Sequence, residues 1–354
     1  VTPLSSLAPQ LWHGHEMIFG FIGAAIAGFM LTAVPNWTGG RGLAGRPLIV
    51  LTILWLAGRA AFAIGDALPI GVLMVAELSF MPAIIIALAP SIIRSSNRNW
   101  PLLLVLFAFW CGDVVFAYAV VSGQSLLAGT ALRGSLGAVL ILITIIGGRI
   151  TPAFTGNALR ARGTAVKIRS SRLLEVVVIA LTVGFVLADT TAPFGKVTGI
   201  AAAAAALAHF VRMSGWHGLR SWRDPIVWIL HAGYAWLLIG LALKALFVLA
   251  GASWAAHWQH ALGAGAAATM ILAVMTRASL GHTGRPLRVS RLIVIAYAML
   301  IASVFLRVFG VSVLQLQYAP AITTASALWI LAFLLYSGVY MPILIRPRAD
   351  GKPG

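Results

Sequence analysis

The sequence predicts an all-α fold, a polytopic transmembrane helical bundle, and three observations carry that prediction. Hydrophobic residues make up 60% of the chain and charged residues only 9%, where a soluble domain has about a quarter charged. Mean hydropathy is +0.97. Apolar stretches of about 17 to 26 residues, each long enough to cross a bilayer, recur from one end to the other.

Eleven such stretches are read in order, at about 15–35, 48–68, 70–94, 100–122, 130–148, 173–190, 195–213, 226–250, 257–277, 290–309 and 320–345. The first contains the uninterrupted apolar run Ile18 to Val34 and ends on a Thr38-Gly39 turn. The second to fourth are set apart by short connections carrying Arg41, Arg46, Arg94 and Arg98. The fifth leads into the one long connection, 150–172, which is basic. The seventh contains the run Ala201 to Ala206, whose small side chains suit tight helix packing. The eighth and tenth are followed by loops without a basic residue, and the ninth ends on a second Thr-Gly pair, Thr283-Gly284. No connection has the length or composition of a linker, so residues 1–354 are expected to form a single integral-membrane domain.

Charge sets the orientation. The net charge of +17 could suggest nucleic acid, but the basic residues lie scattered in short loops rather than in one patch, so no nucleic-acid partner is expected. Arg41, Arg46, Arg94, Arg98, Arg149, Arg160, Arg162, Lys167, Arg169, Arg172, Arg212, Arg220, Arg223, Arg277, Arg285, Arg288, Arg291, Arg346, Arg348 and Lys352 fall on one face, 20 of 25. The positive-inside rule makes that face cytoplasmic. The C-terminus is then inside and the N-terminus outside, although residues 1–12 carry nothing that explains export. The expectation is therefore a further helix ahead of Val1, twelve in all, with a true eleven-helix chain as the alternative.

Nucleotide-binding patterns of the P-loop or Rossmann type are absent. The single cysteine, Cys111, excludes an internal disulfide, a CxxC pair and a covalently attached c-type haem. Histidine carries the chemistry instead. Trp12-His13-Gly14-His15-Glu16-Met17 sets two imidazoles and a carboxylate at the mouth of the first span, where ionisable groups are costly and usually functional. By depth the eight histidines form two groups: His13, His15, His257 and His260 at outer helix ends, and His209, His217, His231 and His282 toward the cytoplasmic face. Haem needs one or two imidazoles across a planar cofactor, and copper two to four nitrogen or sulfur ligands.

The outer group is the stronger metal candidate. His257 and His260, three apart, share a helix face, whereas His13 and His15, two apart, point to nearly opposite sides. Small residues below His15 and His260, among them Gly20, Gly23, Ala264 and Gly265, leave room for close approach or a flat ligand. The competing reading is interfacial histidines bonded to headgroups or loop carbonyls. Met17 and the other methionines are read as core filler rather than ligands.

Two further patterns bear on the site. Arg59, Glu77, Asp113 and Lys244 lie about six to nine residues inside their spans, roughly 9 to 14 Å deep at about 1.5 Å per residue, and so share one stratum. Mutual pairing is expected, either as a proton path, with Arg59 and Lys244 available to haem propionates, or as internal ion pairs that fix packing. A weak repeat also pairs His15, Gly20, Ile26, Met30, Ala33, Thr38 and Gly39 with the identical His260, Gly265, Ile271, Met275, Ala278, Thr283 and Gly284.

The chain resembles the NnrS family. The resemblance rests on Trp12 to Phe21, Gly28 to Gly39, Trp55-Leu56-Ala57-Gly58-Arg59, Gly147 to Asn157, Leu230-His231-Ala232-Gly233-Tyr234-Ala235-Trp236, His260 to Gly265, Gly281 to Leu287 and Pro347 to Gly354, which together span almost the whole chain. Thr151 stands where a larger aliphatic residue is expected. The resemblance implies a bacterial inner-membrane protein of about twelve helices with haem, held non-covalently, and copper, acting in the response to nitric oxide and nitrosative stress, commonly alongside denitrification. Its histidine motifs fall on His13, His15, His231, His260 and His282. Two other functions stay open: a redox enzyme acting on nitric oxide or quinol, and a solute or ion transporter.

Overall fold

A computed structural model describes residues 7–164 and 166–351; Lys352, counted with the basic face, lies outside them. Among the described residues there are helices and no strands. Eleven helices are long and apolar enough to cross a membrane: α1 Pro9–Thr38, α2 Arg46–Ala63, α3 Ile70–Arg94, α4 Pro101–Val121, α5 Ser125–Ala161, α6 Arg172–Thr191, α7 Lys196–Ser214, α8 Pro225–Leu249, α9 Ser253–His282, α10 Arg291–Gly310 and α11 Tyr318–Leu344. They correspond to the eleven spans read from hydropathy, except that α5 stays helical to Ala161, through about half of the connection expected over 150–172. The chain is a multi-pass membrane protein with a helical fold.

Local chemistry sets the ends. Pro101 and Pro225 open α4 and α8 at the first turn, where a missing N–H costs nothing. Ser171 caps α6, its hydroxyl accepting from the Leu174 N–H at 3.1 Å. Gly39 closes α1 in the left-handed conformation, φ 68°, a place that favours glycine.

Four helices contain π-helical stretches: Glu16–Ile22 in α1, Ile143–Gly147 in α5, Ala261–Ala268 in α9 and Leu306–Gly310 in α10. Their positions extend the sequence repeat. His15 and His260 each stand immediately before a π stretch; Gly39 and Gly284 are both left-handed, at φ 68° and 69°; and Arg46 and Arg291 each open the next helix. A third instance runs through α5, whose π stretch is followed by Gly163 at φ 74° and then by Arg172 at the head of α6. The proline-opened α4 and α8 also match, each leading through a left-handed glycine, Gly123 or Gly251, into the next helix. The order α4–α5–α6–α7 thus recurs as α8–α9–α10–α11, and α1–α2–α3 repeats its last three members.

The described residues form two compact units, Val1–Leu142 and Ile143–Gly354. In the first, α4 lies along Ser125–Leu142, α2 along the first half of α3, and α1 against the second half of α3. In the second, α8 is the most enclosed helix, packed on α7 and α9, while α10 pairs with α11. Glycines make the α8–α9 approach possible: a β-carbon at Gly240 would come within 2.5 Å of Leu262, and one at Gly265 within 2.8 Å of Trp236.

Candidate metal centre

The π stretch of α1 begins at Glu16, so the helix turns one residue late just where His15 ends its α-helical turn. His15 is buried and His13 exposed, in accord with the opposite-face argument for residues two apart. The His15 ring lies between two phenyl groups, Phe62 of α2 at 3.8 Å and 22° and Phe116 of α4 at 4.8 Å and 27°. Phe19, one turn along α1, closes a third side at 5.3 Å. Its orientation is set by packing on three helices.

Three carboxylates surround the two ring nitrogens. Nδ1 is 3.2 Å from Glu16 Oε1, while Nε2 is 3.2 Å from Glu77 Oε1 on α3 and 3.6 Å from Asp113 Oδ1 on α4. Arg59 on α2 bridges Glu16 and Glu77 through its two terminal nitrogens. Glu77 and Asp113 are both buried, and Glu77 Oε2 and Asp113 Oδ1 have no hydrogen-bond partner in the protein. A small cavity of about 10 Å³, lined among others by Trp55, Gly58, Arg59, Glu77 and Asp113, adjoins the cluster; that volume suits one water-sized occupant.

Two glycines make the arrangement possible. A β-carbon at Gly20 would sit 3.1 Å from Arg59 Nη1, and one at Gly58 would sit 3.2 Å from the Ala76 carbonyl and 3.4 Å from Glu77 Oε2. The small residues below His15, read as room for a flat ligand, therefore accommodate Arg59 at Gly20 and the Phe109 ring at Gly23.

The donor set suits a cation. Ligating atoms of His15, Glu77 and Asp113 lie within 4.8 Å of one another. Three carboxylates face one guanidinium and one imidazole, and an uncompensated buried negative charge is strongly unfavourable. A Glu16 that accepts from Nδ1–H fixes the tautomer in which Nε2 is a free ligand, the carboxylate–histidine arrangement common behind metal sites. A haem at His15 fits less well: phenyl rings cover both faces of the imidazole, and Nε2 points at two acids rather than into a planar gap.

The other candidate residues lie elsewhere. Lys244, grouped by depth with Arg59, Glu77 and Asp113, pairs instead with Asp189 on α6 at 2.7 Å and sits 3.9 Å over the Trp258 ring. Depth alone could not show that a buried acid near the end of α6 would supply its partner. His257 and His260 have ring centroids 6.3 Å apart at the head of α9. His231 on α8 is buried, its Nε2 2.7 Å from the Thr155 hydroxyl, and Trp216 stands edge-on to it at 6.1 Å. His209 joins a polar chain that depth did not predict: Nε2 to Thr182 at 3.0 Å, Nδ1 to Tyr234 at 2.7 Å, and Tyr234 to Arg212 at 2.9 Å. Arg212 is anchored by Glu175 and by the Thr144 carbonyl within the α5 π stretch. His217 donates to the Lys167 carbonyl at 3.3 Å, and His282 is exposed.

His15 and Arg59, both singled out in the sequence, are brought together by the structure through Glu16 and Glu77. Glu16 as orienter and Phe62 and Phe116 as clamps were not legible there, since no local pattern distinguishes those phenylalanines from the other fourteen.

No curated protein matches the chain. A family model described as NnrS protein matches residues 1–348, essentially the whole chain, and the chain belongs to the NnrS family.

Proposed function

We propose that this is a copper-binding protein of the bacterial cytoplasmic membrane acting in the response to nitric oxide, with His15, Glu77 and Asp113 as the copper ligands. The observation that carries the reading is the convergence of two buried, incompletely bonded carboxylates on one ring nitrogen of a clamped histidine. Among first-row divalent ions a mixed nitrogen and oxygen site binds Cu²⁺ most tightly. A copper ion held by these residues would supply a redox-active Lewis acid able to bind a small diatomic molecule. The chain's own part is to hold the ligands. Glu16 keeps the proton on Nδ1, Arg59 spaces Glu16 from Glu77, and the phenyl rings exclude water.

Haem, the second group implied by family membership, finds its candidate ligands outside this centre, at His257 and His260 and at His231. His13 is exposed and lies outside this centre. The basic face, with the C-terminus, is cytoplasmic in this reading.

Copper content of the purified protein tests the proposal. His15→Ala, Glu77→Gln and Asp113→Asn should each insert in the membrane with little copper, while His217→Ala keeps it. Equal copper in all four would sink the assignment. A Soret band that survives in His15→Ala and vanishes in His260→Ala would place haem apart from copper. A transporter reading would be favoured by protein that carries no metal or pigment and moves a solute in vesicles.

A further inference from the structure

Unit Ile143–Gly354 holds four acidic residues, and each is matched to a cation: Glu175 to Arg212, Asp189 to Lys244, Asp224 to Arg162 and Asp350 to Arg348. No carboxylate in that unit is left for Arg307, which lies in the π-helical end of α10. Among the described residues Arg307 forms no hydrogen bond, ion pair or ring contact, although its surface is only partly exposed. Arg277, also inside a span of this unit, is by contrast stacked 3.5 Å over Phe154.

The neighbours of Arg307 include no carboxylate. The segment Trp258–His260 of α9 packs on Leu306–Gly310. His257, at the head of that segment, interacts electrostatically with Arg307, and its buried Nδ1 has no hydrogen-bond partner. His260 stands beside His257, and the hydroxyl of Tyr318, which opens α11, also feels the guanidinium. A guanidinium embedded at a membrane-helix end without a counter-ion is costly, and its fork of donors matches oxygen anions.

The internal repeat gives this place a counterpart. In the first unit, the residues at the head of α1 and near the end of α2 put His15 and Glu16 against Arg59. The matching heads of α9 and ends of α10 put His257 and His260 near Arg307, about one helical turn further toward the helix ends. The acids of the first site have no equivalents in the second, where Ala261 follows His260 as Glu16 follows His15. One frame thus presents a cluster of carboxylates in one copy and none in the other.

We infer that Arg307, with His257, forms an oxyanion-binding site at the junction of α9 and α10. Its ligand is either a small inorganic oxyanion or the phosphate of a lipid headgroup. The inference uses none of the residues of the copper centre; it shares His257 with the haem reading, from which the Arg307 variants separate it, since Arg307 is no haem ligand in that reading.

The test is thermal unfolding of the purified full chain in neutral detergent, titrated with nitrite at constant ionic strength, and separately with phosphatidylglycerol. Wild type should show a saturable rise in Tm. In Arg307→Gln the midpoint should move roughly tenfold or more to higher ligand, and Arg307→Lys should fall between. A response to nitrite identifies the small anion, and a response to the lipid alone identifies the headgroup. A wild type indifferent to both, or an Arg307→Gln protein that responds equally, overturns the inference. Should Arg307→Gln fail to accumulate, His257→Ala, which keeps the guanidinium and removes its neighbour, carries the same comparison.

Discussion

The imidazole of His15 and the ring of Phe62 lie nearly parallel, with centroids 3.8 Å apart and planes 22° from each other. Two helices are thereby joined at the one side chain whose angle decides which acids its nitrogens meet. Phe62→Leu should leave the bundle inserted but let the imidazole turn. Because groups supporting a ligand typically contribute about 10- to 100-fold in metal affinity, copper affinity in a chelator competition should fall by that order. An unchanged affinity would show that the acids alone orient the ring.

Arg59 joins Glu16 to Glu77, so removing its charge leaves three acids facing one imidazole. The double variant Arg59→Gln with Glu77→Gln should be destabilised by less than the sum of the two single variants, with a coupling of about 0.5 to 3 kcal/mol. Simple additivity in thermal unfolding would mean that the groups are neighbours without a shared network.

Lys244 and Asp189 form a separate buried pair at 2.7 Å. Lys244→Met or Asp189→Leu alone should cost about 3 to 5 kcal/mol by stranding a charge, whereas the double variant should come near wild type. Measured stabilities in which the double variant is worse than either single one would contradict this.

Hydropathy made all eleven spans legible because length and apolarity suffice to define a membrane helix. The end of α1 was legible too, where the Thr38-Gly39 turn acts locally. Depth counting grouped Arg59, Glu77 and Asp113 correctly, since the repeat distance along a helix converts directly to height. It also added Lys244, because height says nothing of which helices are neighbours. Asp189 and Glu175, the acids that hold Lys244 and Arg212, drew no notice, lying near the two ends of one largely apolar span. The clamp by Phe62 and Phe116 is tertiary information of the same kind.

Gly148 lies directly against the Arg212 guanidinium. A methyl group there has nowhere to go, because Arg212 is tied at once to Glu175, Tyr234 and the Thr144 carbonyl. Gly148→Ala should therefore lower stability by about 1 to 3 kcal/mol, as overpacking does. Truncating the arginine as well, in Gly148→Ala with Arg212→Ala, should relieve the clash but leave Glu175 without its partner. A Gly148→Ala protein as stable as wild type would indicate that the guanidinium has a second resting place.

Copper held by an imidazole and two carboxylates competes with protons for every ligand. Lowering pH should release the metal from the purified protein, with the release shifted to higher pH in Asp113→Asn, which binds more weakly. Retention independent of pH would point to ligands other than these three.

The π-helical stretches have a consequence for how any substitution in these helices is to be placed. A π turn holds more residues than an α turn, and one residue rotates an α-helix by about 100°, as 3.6 residues per turn requires. The parts of α1 on either side of Glu16–Ile22 are therefore out of phase, so that no single helical wheel describes the helix from Pro9 to Thr38. Deleting one residue within Glu16–Ile22 would restore an unbroken phase and swing the His13–His15 end around the axis, carrying the imidazole away from Glu77 and Asp113 without altering any of the three side chains.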